Sequence, residues 1–248
     1  MKILIKSIAL AIASVLMTMS CSEGQKAGSN SVEESTIDSA LQFTVDTIPK
    51  NKMVEINATS GQVIVMEVST GEIKAVVGSG KSQESRLLRA ATLLAMLESG
   101  KVVLSDTADT SYGIYQMKDT VLKDHNWYRG GYGTLTAKQS LAHSSHIALY
   151  KNVRKAFDSV DAYLNAIDSM GYSLPEAIEG LDSLKAYRRF VSNDSSWEDL
   201  AFYITGDKQS ISPIQVLTFM NAIANDGQMV KPTLFKRETE TIIPMIAS

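Results

Sequence analysis

A single cysteine, Cys21, stands in the 248 residues, and it closes a short apolar run near the start of the chain. That count constrains the fold more than any other feature. With no second thiol, no internal disulfide can staple the chain, so a folded body must rest on core packing alone. A hydrophobic share of 44% against a charged share of 21% supplies the material for such a core in one domain of good size.

The position of Cys21 carries a second message. Lys2 and Lys6 give a basic start, Ile8 to Met17 is apolar but too short to span a bilayer, and small Ser20 precedes the cysteine. This pattern predicts a lipoprotein signal peptide over residues 1–20, with Cys21 lipidated after cleavage. One departure is Thr18, where Leu is usual. Residues 21–35 then run polar, small and aperiodic, which predicts a flexible tether behind the lipidated cysteine. The expected location is the cell envelope, on a membrane through a lipid anchor, facing the periplasm or the exterior. A net charge of −3 and the lack of a long basic run exclude nucleic-acid binding from the expected functions.

From Thr36 the pattern changes. Residues 62–68 and 72–77 are β-branched runs separated by Ser69-Thr70-Gly71, which predicts a hairpin. Residues 86–99 predict a buried helix stopped by Gly100, with Ser85 as its cap. Residues 101–134 read as irregular with short strands, and Arg129 to Gly133 as a flexible surface loop. Thr134-Leu135-Thr136 is expected to open a helix towards His143, followed by helices from Ser144 to about Phe157 and from Val160 to Met170. Pro213 at the first turn, apolar residues at helical spacing and Asp226-Gly227 punctuate a last helix.

Five of these segments, in this order, resemble the transpeptidase domain of penicillin-binding proteins. Thr36-Ile37-Asp38 and Leu41-Gln42 resemble its opening TID..LQ. Residues 61–73 (GQVIVMEVSTGEI) resemble its first hairpin, and residues 92–102 (TLLAMLESGKV) the end of the helix that carries the nucleophile. Residues 135–151 (LTAKQSLAHSSHIALYK) resemble the S-x-N segment, and 211–232 (ISPIQVLTFMNAIANDGQMVKP) a later helix and turn. The resemblance implies an α+β, β-lactamase/transpeptidase-like fold over residues 36–248, helix-rich, with a small and incomplete antiparallel sheet.

It also implies where chemistry would sit, and there the residues depart. The family works through S-x-x-K, S-x-N and K-T-G. Counting back from Leu97-Glu98-Ser99-Gly100, the serine position falls on Arg86 and the lysine position on Arg89. Arginine offers no nucleophile, and its guanidinium does not give up its proton in proteins. Ser144 keeps the serine of S-x-N, but His146 replaces the asparagine. No Lys-Thr-Gly follows Ala224 to Gly227, so the expectation is a domain truncated before that motif.

The expected function is therefore a non-catalytic envelope lipoprotein, with no catalytic residue assigned. Its groove would bind a peptidoglycan stem peptide, or its surface an envelope protein, through Arg86, Arg89, Ser144 and His146. Arg86 and Arg89, three apart on one helix, would grip a carboxylate together. The alternatives are an active acyl-serine D,D-transpeptidase using Ser85 or Ser144, and a truncated gene product. No cofactor is expected. The H-x-x-H spacing of His143 and His146 raises a metal reading, but no third ligand stands at recognisable spacing, so no metal is expected either. The sheet is expected to hold two or three strands with an open edge, the tail from Thr233 to Met245 serving as one replacement strand.

Overall fold

The computed structural model describes residues 33–79, 87–174, 178–179, 188–189, 195–206 and 209–248. From Glu34 onward they form one unit. It opens with helix α1 (Ser39–Glu55), capped by Asp38, whose carboxylate accepts the Leu41 N–H. This helix is absent from the sequence reading. It contains Pro49 and buries only Val45, so no apolar stripe marks it.

Strands β1 (Gly61–Met66) and β2 (Ile73–Ser79) then form the expected antiparallel hairpin. Its turn needs Gly71, at φ +75°, where a Cβ would lie 2.5 Å from the Lys231 carbonyl oxygen. Helix α2 (Leu88–Glu98) follows, shorter than expected. Its cap position falls on Leu87 and makes no side-chain cap bond, and Ser85, expected as the cap, lies outside the described residues.

Short strands β3 (Thr107–Asp109), β4 (Ile114–Gln116) and β5 (Val121–Lys123) come next, then a 3-10 turn at Trp127–Arg129. Thr134–Thr136, expected to be helical, is instead β6, paired antiparallel with β3. Two β-branched threonines about one leucine suit an extended segment. Thr136 ends the strand and caps α3 (Ala137–Ala142) in a capping box with Gln139. The glycine run is not a loose loop either. Gly131, at φ +72°, is packed so closely that a Cβ would meet the Gly113 nitrogen at 2.3 Å.

Helices α4 (His146–Ala156) and α5 (Val160–Ser169) match expectation closely. The chain continues through β7 (Arg188–Arg189), α6 (Trp197–Ile204), β8 (Gln209–Ser210), α7 (Pro213–Ala224), β9 (Met229–Val230) and β10 (Thr241–Ile243). The main core lies among α2, α4, α5, α6 and α7, around Leu88, Met96, Ile147, Tyr163, Tyr203 and Phe219. Each such side chain contributes roughly 1.5–3 kcal/mol on leaving water. A second cluster, Ile73 and Ile214 with Ile64, Val76 and Leu217 against them, glues α7 to one face of the hairpin.

All described sheets are two-stranded. The tail does not pair alongside the hairpin as expected. Thr241–Ile243 pairs with β9, while only Thr233 reaches the hairpin turn, by a bridge to Glu72. The reason is burial: Ile246 joins the main core, with Ile242 and Ile243 packed against it. Among the described residues no helix is long and apolar enough to cross a membrane.

Candidate functional site

Arg89 sits one residue into α2, on the face that otherwise presents Leu88, Ala91 and Met96 to the core, and is only 2% exposed. A guanidinium so placed must be hydrogen-bonded, because burying an unpaired charge costs several kcal/mol. Its partners converge from two other segments. Nε and Nη2 both donate to the Thr205 carbonyl oxygen, at 3.2 and 2.9 Å, and Nη2 also meets His146 Nε2 at 2.8 Å. Nη1 reaches the Ser144 carbonyl oxygen at 3.5 Å.

The first of these contacts has a clear cause. Thr205 is the C-cap of α6 and is fully buried, and the last carbonyls of a helix lack partners within it. A cation there answers both the open acceptor and the negative end of the helix dipole. In the second contact arginine has only donors, so Nε2 of His146 accepts.

Residues 143–146 form the break between α3 and α4. His143 closes α3, and Ser144 takes the left-handed conformation, at φ +53°. Ser145 caps α4, accepting the Ala148 N–H at 3.1 Å and donating to Asp124 Oδ2 at 2.8 Å. The other oxygen of Asp124, a fully buried carboxylate, accepts the Ile147 N–H at 3.1 Å. His143 and His146 therefore belong to different helices, and their H-x-x-H spacing does not place them on one helical face.

On the far side of the break, Tyr132 stacks against His143, ring centroids 4.9 Å apart, and its hydroxyl meets His125 Nε2 at 3.0 Å. Partial burial, helped by the nearby Asp124 charge, raises the Tyr132 phenol above its ordinary pKa.

The structure thus gathers three of the residues singled out by sequence, Arg89, Ser144 and His146, into one cluster. Arg86 and Ser85 lie outside the described residues. Sequence reasoning missed Thr205, because it acts through a backbone carbonyl that every residue type carries. It gave Asp124 no role at this helix, since nothing local announces a carboxylate that bonds a cap residue 21 positions on. Arg89, at which the resemblance in sequence places the family's lysine, is a permanent cation, and the adjacent imidazole turns its Nε2 to that cation. No hydrogen bond joins Ser144 Oγ to His146 among the described residues. No group of three or more His, Cys, Asp or Glu that could hold a metal ion occurs among them.

Comparison with known proteins fits this geometry to a family. The model of the penicillin binding protein transpeptidase domain matches residues 61–245. The fold is similar to that of the apo transpeptidase domain of Burkholderia pseudomallei penicillin-binding protein 3, at 21% identity and TM-score 0.76, covering 90% of this chain and 67% of that one. A peptidoglycan glycosyltransferase from Burkholderia ambifaria is similar at 22% identity and TM-score 0.75, with 86% and 69% covered. Penicillin Binding Protein 2X from Streptococcus thermophilus is similar at 18% identity and TM-score 0.74, covering 87% of this chain but only 36% of that one. At these identities the likeness is one of fold. No curated protein matches the chain.

Proposed function

The chain belongs to the penicillin-binding protein transpeptidase domain family, and from that premise we propose that it is a non-catalytic member, a lipid-anchored envelope protein whose domain binds rather than acylates. The use made of Arg89 carries this reading. A serine acyl-transfer enzyme needs a group beside its nucleophile that can take up a proton. Here that position holds a guanidinium bonded to Thr205 and His146, and its bond to His146 occupies the acceptor that imidazole would need. The class of ligand proposed is a peptidoglycan stem peptide or an envelope protein. Because the Arg89 donors point inward, Arg86, Ser144 and His146 are the residues proposed to meet it.

Incubation with a fluorescent penicillin tests the absence of acylation. The expected result is no covalent band. A band abolished by Ser85→Ala or Ser144→Ala would overturn the proposal and favour an active acyl-serine enzyme.

Membrane attachment is proposed through Cys21, since two acyl chains anchor firmly where one does not. Mass spectrometry of the protein from its native envelope is expected to find a diacylated Cys21 as the first residue. An unmodified N-terminus beyond Cys21 would sink the anchor.

A further inference from the structure

The β4–β5 hairpin and the 3-10 turn after it display a row of aromatic and cationic side chains that the functional reading does not use. Ile114 and Lys123 stand directly opposite each other in the hairpin, so their side chains share one face. Lys123 Nζ lies over the Trp127 ring, 4.6 Å from its centroid. Tyr128 meets Trp127 edge-on at 6.3 Å, and the Arg129 guanidinium lies over the Tyr128 ring at 5.2 Å. Tyr112 adjoins them through Gly113, on which a Cβ would meet the Trp127 Cα at 2.9 Å. The whole row is exposed, Tyr112 by 78%, Tyr128 by 63% and Trp127 by 43%.

The backbone holds this row in place. Asp124 N–H bonds to Gly113 O at 3.0 Å, Trp127 N–H bonds to Asp124 O at 3.1 Å, and Gly113 and Gly131 pack backbone to backbone. A contact made by the row therefore orders little that is not already ordered. Its charge has one sign. Between Tyr112 and Gly133 the exposed charges are Lys118, Lys123 and Arg129 against Asp119 alone, because Asp124 is fully buried. Asp109, just before the row, is engaged by the Ser111 N–H and hydroxyl. A cationic, aromatic face thus stands out on a chain whose net charge is −3.

We propose that this face docks on an anionic phospholipid surface, that of the membrane holding the Cys21 acyl chains; the proposal rests on the anchor put forward above. Indole and phenol rings suit the headgroup layer, where one end of each leaves water and the other stays wet. Lysine and arginine beside them meet lipid phosphates, and each such cation strengthens the contact about 5-fold. A flat stacking ligand such as a sugar fits less well, because Lys123 and Arg129 already take one face of Trp127 and one of Tyr128. From Cys21 to Glu34 the chain extends at most roughly 45 Å, and a domain of this size has a radius of gyration of roughly 17 Å. The tether thus supplies nearness to the bilayer, and the row decides which face turns to it.

The protein's two tryptophans, Trp127 and Trp197, make the face readable. The protein from its native envelope is reconstituted into vesicles of phosphatidylglycerol and brominated phosphatidylcholine, whose bromine quenches an indole in contact with lipid. Quenching is expected in the parent and in Trp197→Phe, and its loss in Trp127→Phe. Lys123→Ala and Arg129→Ala are each expected to lower the ratio of docked to undocked protein about 5-fold. An unquenched parent, quenching that survives Trp127→Phe, or equal quenching on vesicles without phosphatidylglycerol would overturn the proposal. So would a Trp127 signal that answers to soluble glycan strands or to an envelope protein but not to bromine. Mass spectrometry of the same sample reads the anchor separately. If the chain carries no acyl groups, the anchor reading fails, and vesicles added to that chain still test the face: Trp127 is expected to be quenched, at higher lipid concentration.

Discussion

Replacing Arg89 with alanine is expected to lower the stability of the fold by about 3–5 kcal/mol, the scale of breaking a buried charged contact and leaving its partners behind. The loss has named parts. The Thr205 carbonyl, fully buried at the end of α6, would keep no guanidinium, and His146 would lose its donor. Three segments of chain meet at this one side chain, α2, the end of α6 and the start of α4, so the loss is not confined to one helix. Arg89→Lys separates charge from shape. An ammonium keeps a cation near the end of α6 but cannot fork between the Thr205 oxygen and the His146 ring, so a smaller loss of about 1–3 kcal/mol is expected. Urea unfolding midpoints for the two variants decide the matter. An alanine variant within about 0.5 kcal/mol of the parent, the range of an ordinary surface substitution, would show that the clamp holds nothing together.

On the proposed reading, this use of Arg89 shows how a position that the family gives to lysine can be given over to packing. A lysine that serves as a base must exchange its proton, and that needs a group whose charged and neutral forms are both reachable. Arginine at the same place has one charge state, and the fold uses that permanence to satisfy a helix end.

How much of this was legible depends on which physical signal each element leaves in the sequence. The β1–β2 hairpin and α7 were legible because β-branched alternation, Gly71 and Pro213 are local causes with local marks. Counting along motifs singled out Arg89, Ser144 and His146, and the structure places those three in contact. Helix α1 was not legible, since Pro49 lies inside it and most of its apolar side chains stay exposed, Phe43 and Val54 among them. Thr134–Thr136 was misread because helix and strand compete over three residues, and a strand partner far back in the chain decided the outcome. The inward turn of Arg89 rested on the Thr205 carbonyl, which has no residue type to announce it. Tertiary contacts settle all three cases, and short-range patterns do not encode them.

A second large effect is expected at Asp124, where the break that carries Ser144 and His146 is pinned. Its carboxylate is fully buried and takes two donors, the Ser145 hydroxyl and the Ile147 N–H, at the first turn of α4. The N-terminus of a helix leaves N–H groups without acceptors and carries the positive end of its dipole, so an anion answers both needs there. Asp124→Ala strands both donors in a dry interior and is expected to cost about 3–5 kcal/mol. Asp124→Asn keeps the shape and one acceptor but turns an N–H₂ towards a donor, and a loss of about 1–2 kcal/mol is expected. The backbone of Asp124 is held independently, by its N–H to Gly113 O at 3.0 Å and its carbonyl to Trp127 N at 3.1 Å. Damage should therefore concentrate at the start of α4 and leave the β4–β5 hairpin in place. Amide hydrogen exchange reads this directly. In Asp124→Ala, the Ile147 and Ala148 amides are expected to lose protection while Leu122 keeps its own. Equal loss at all three would mean that Asp124 supports the whole domain, and no loss at Ile147 would mean that the carboxylate does not hold the helix at all.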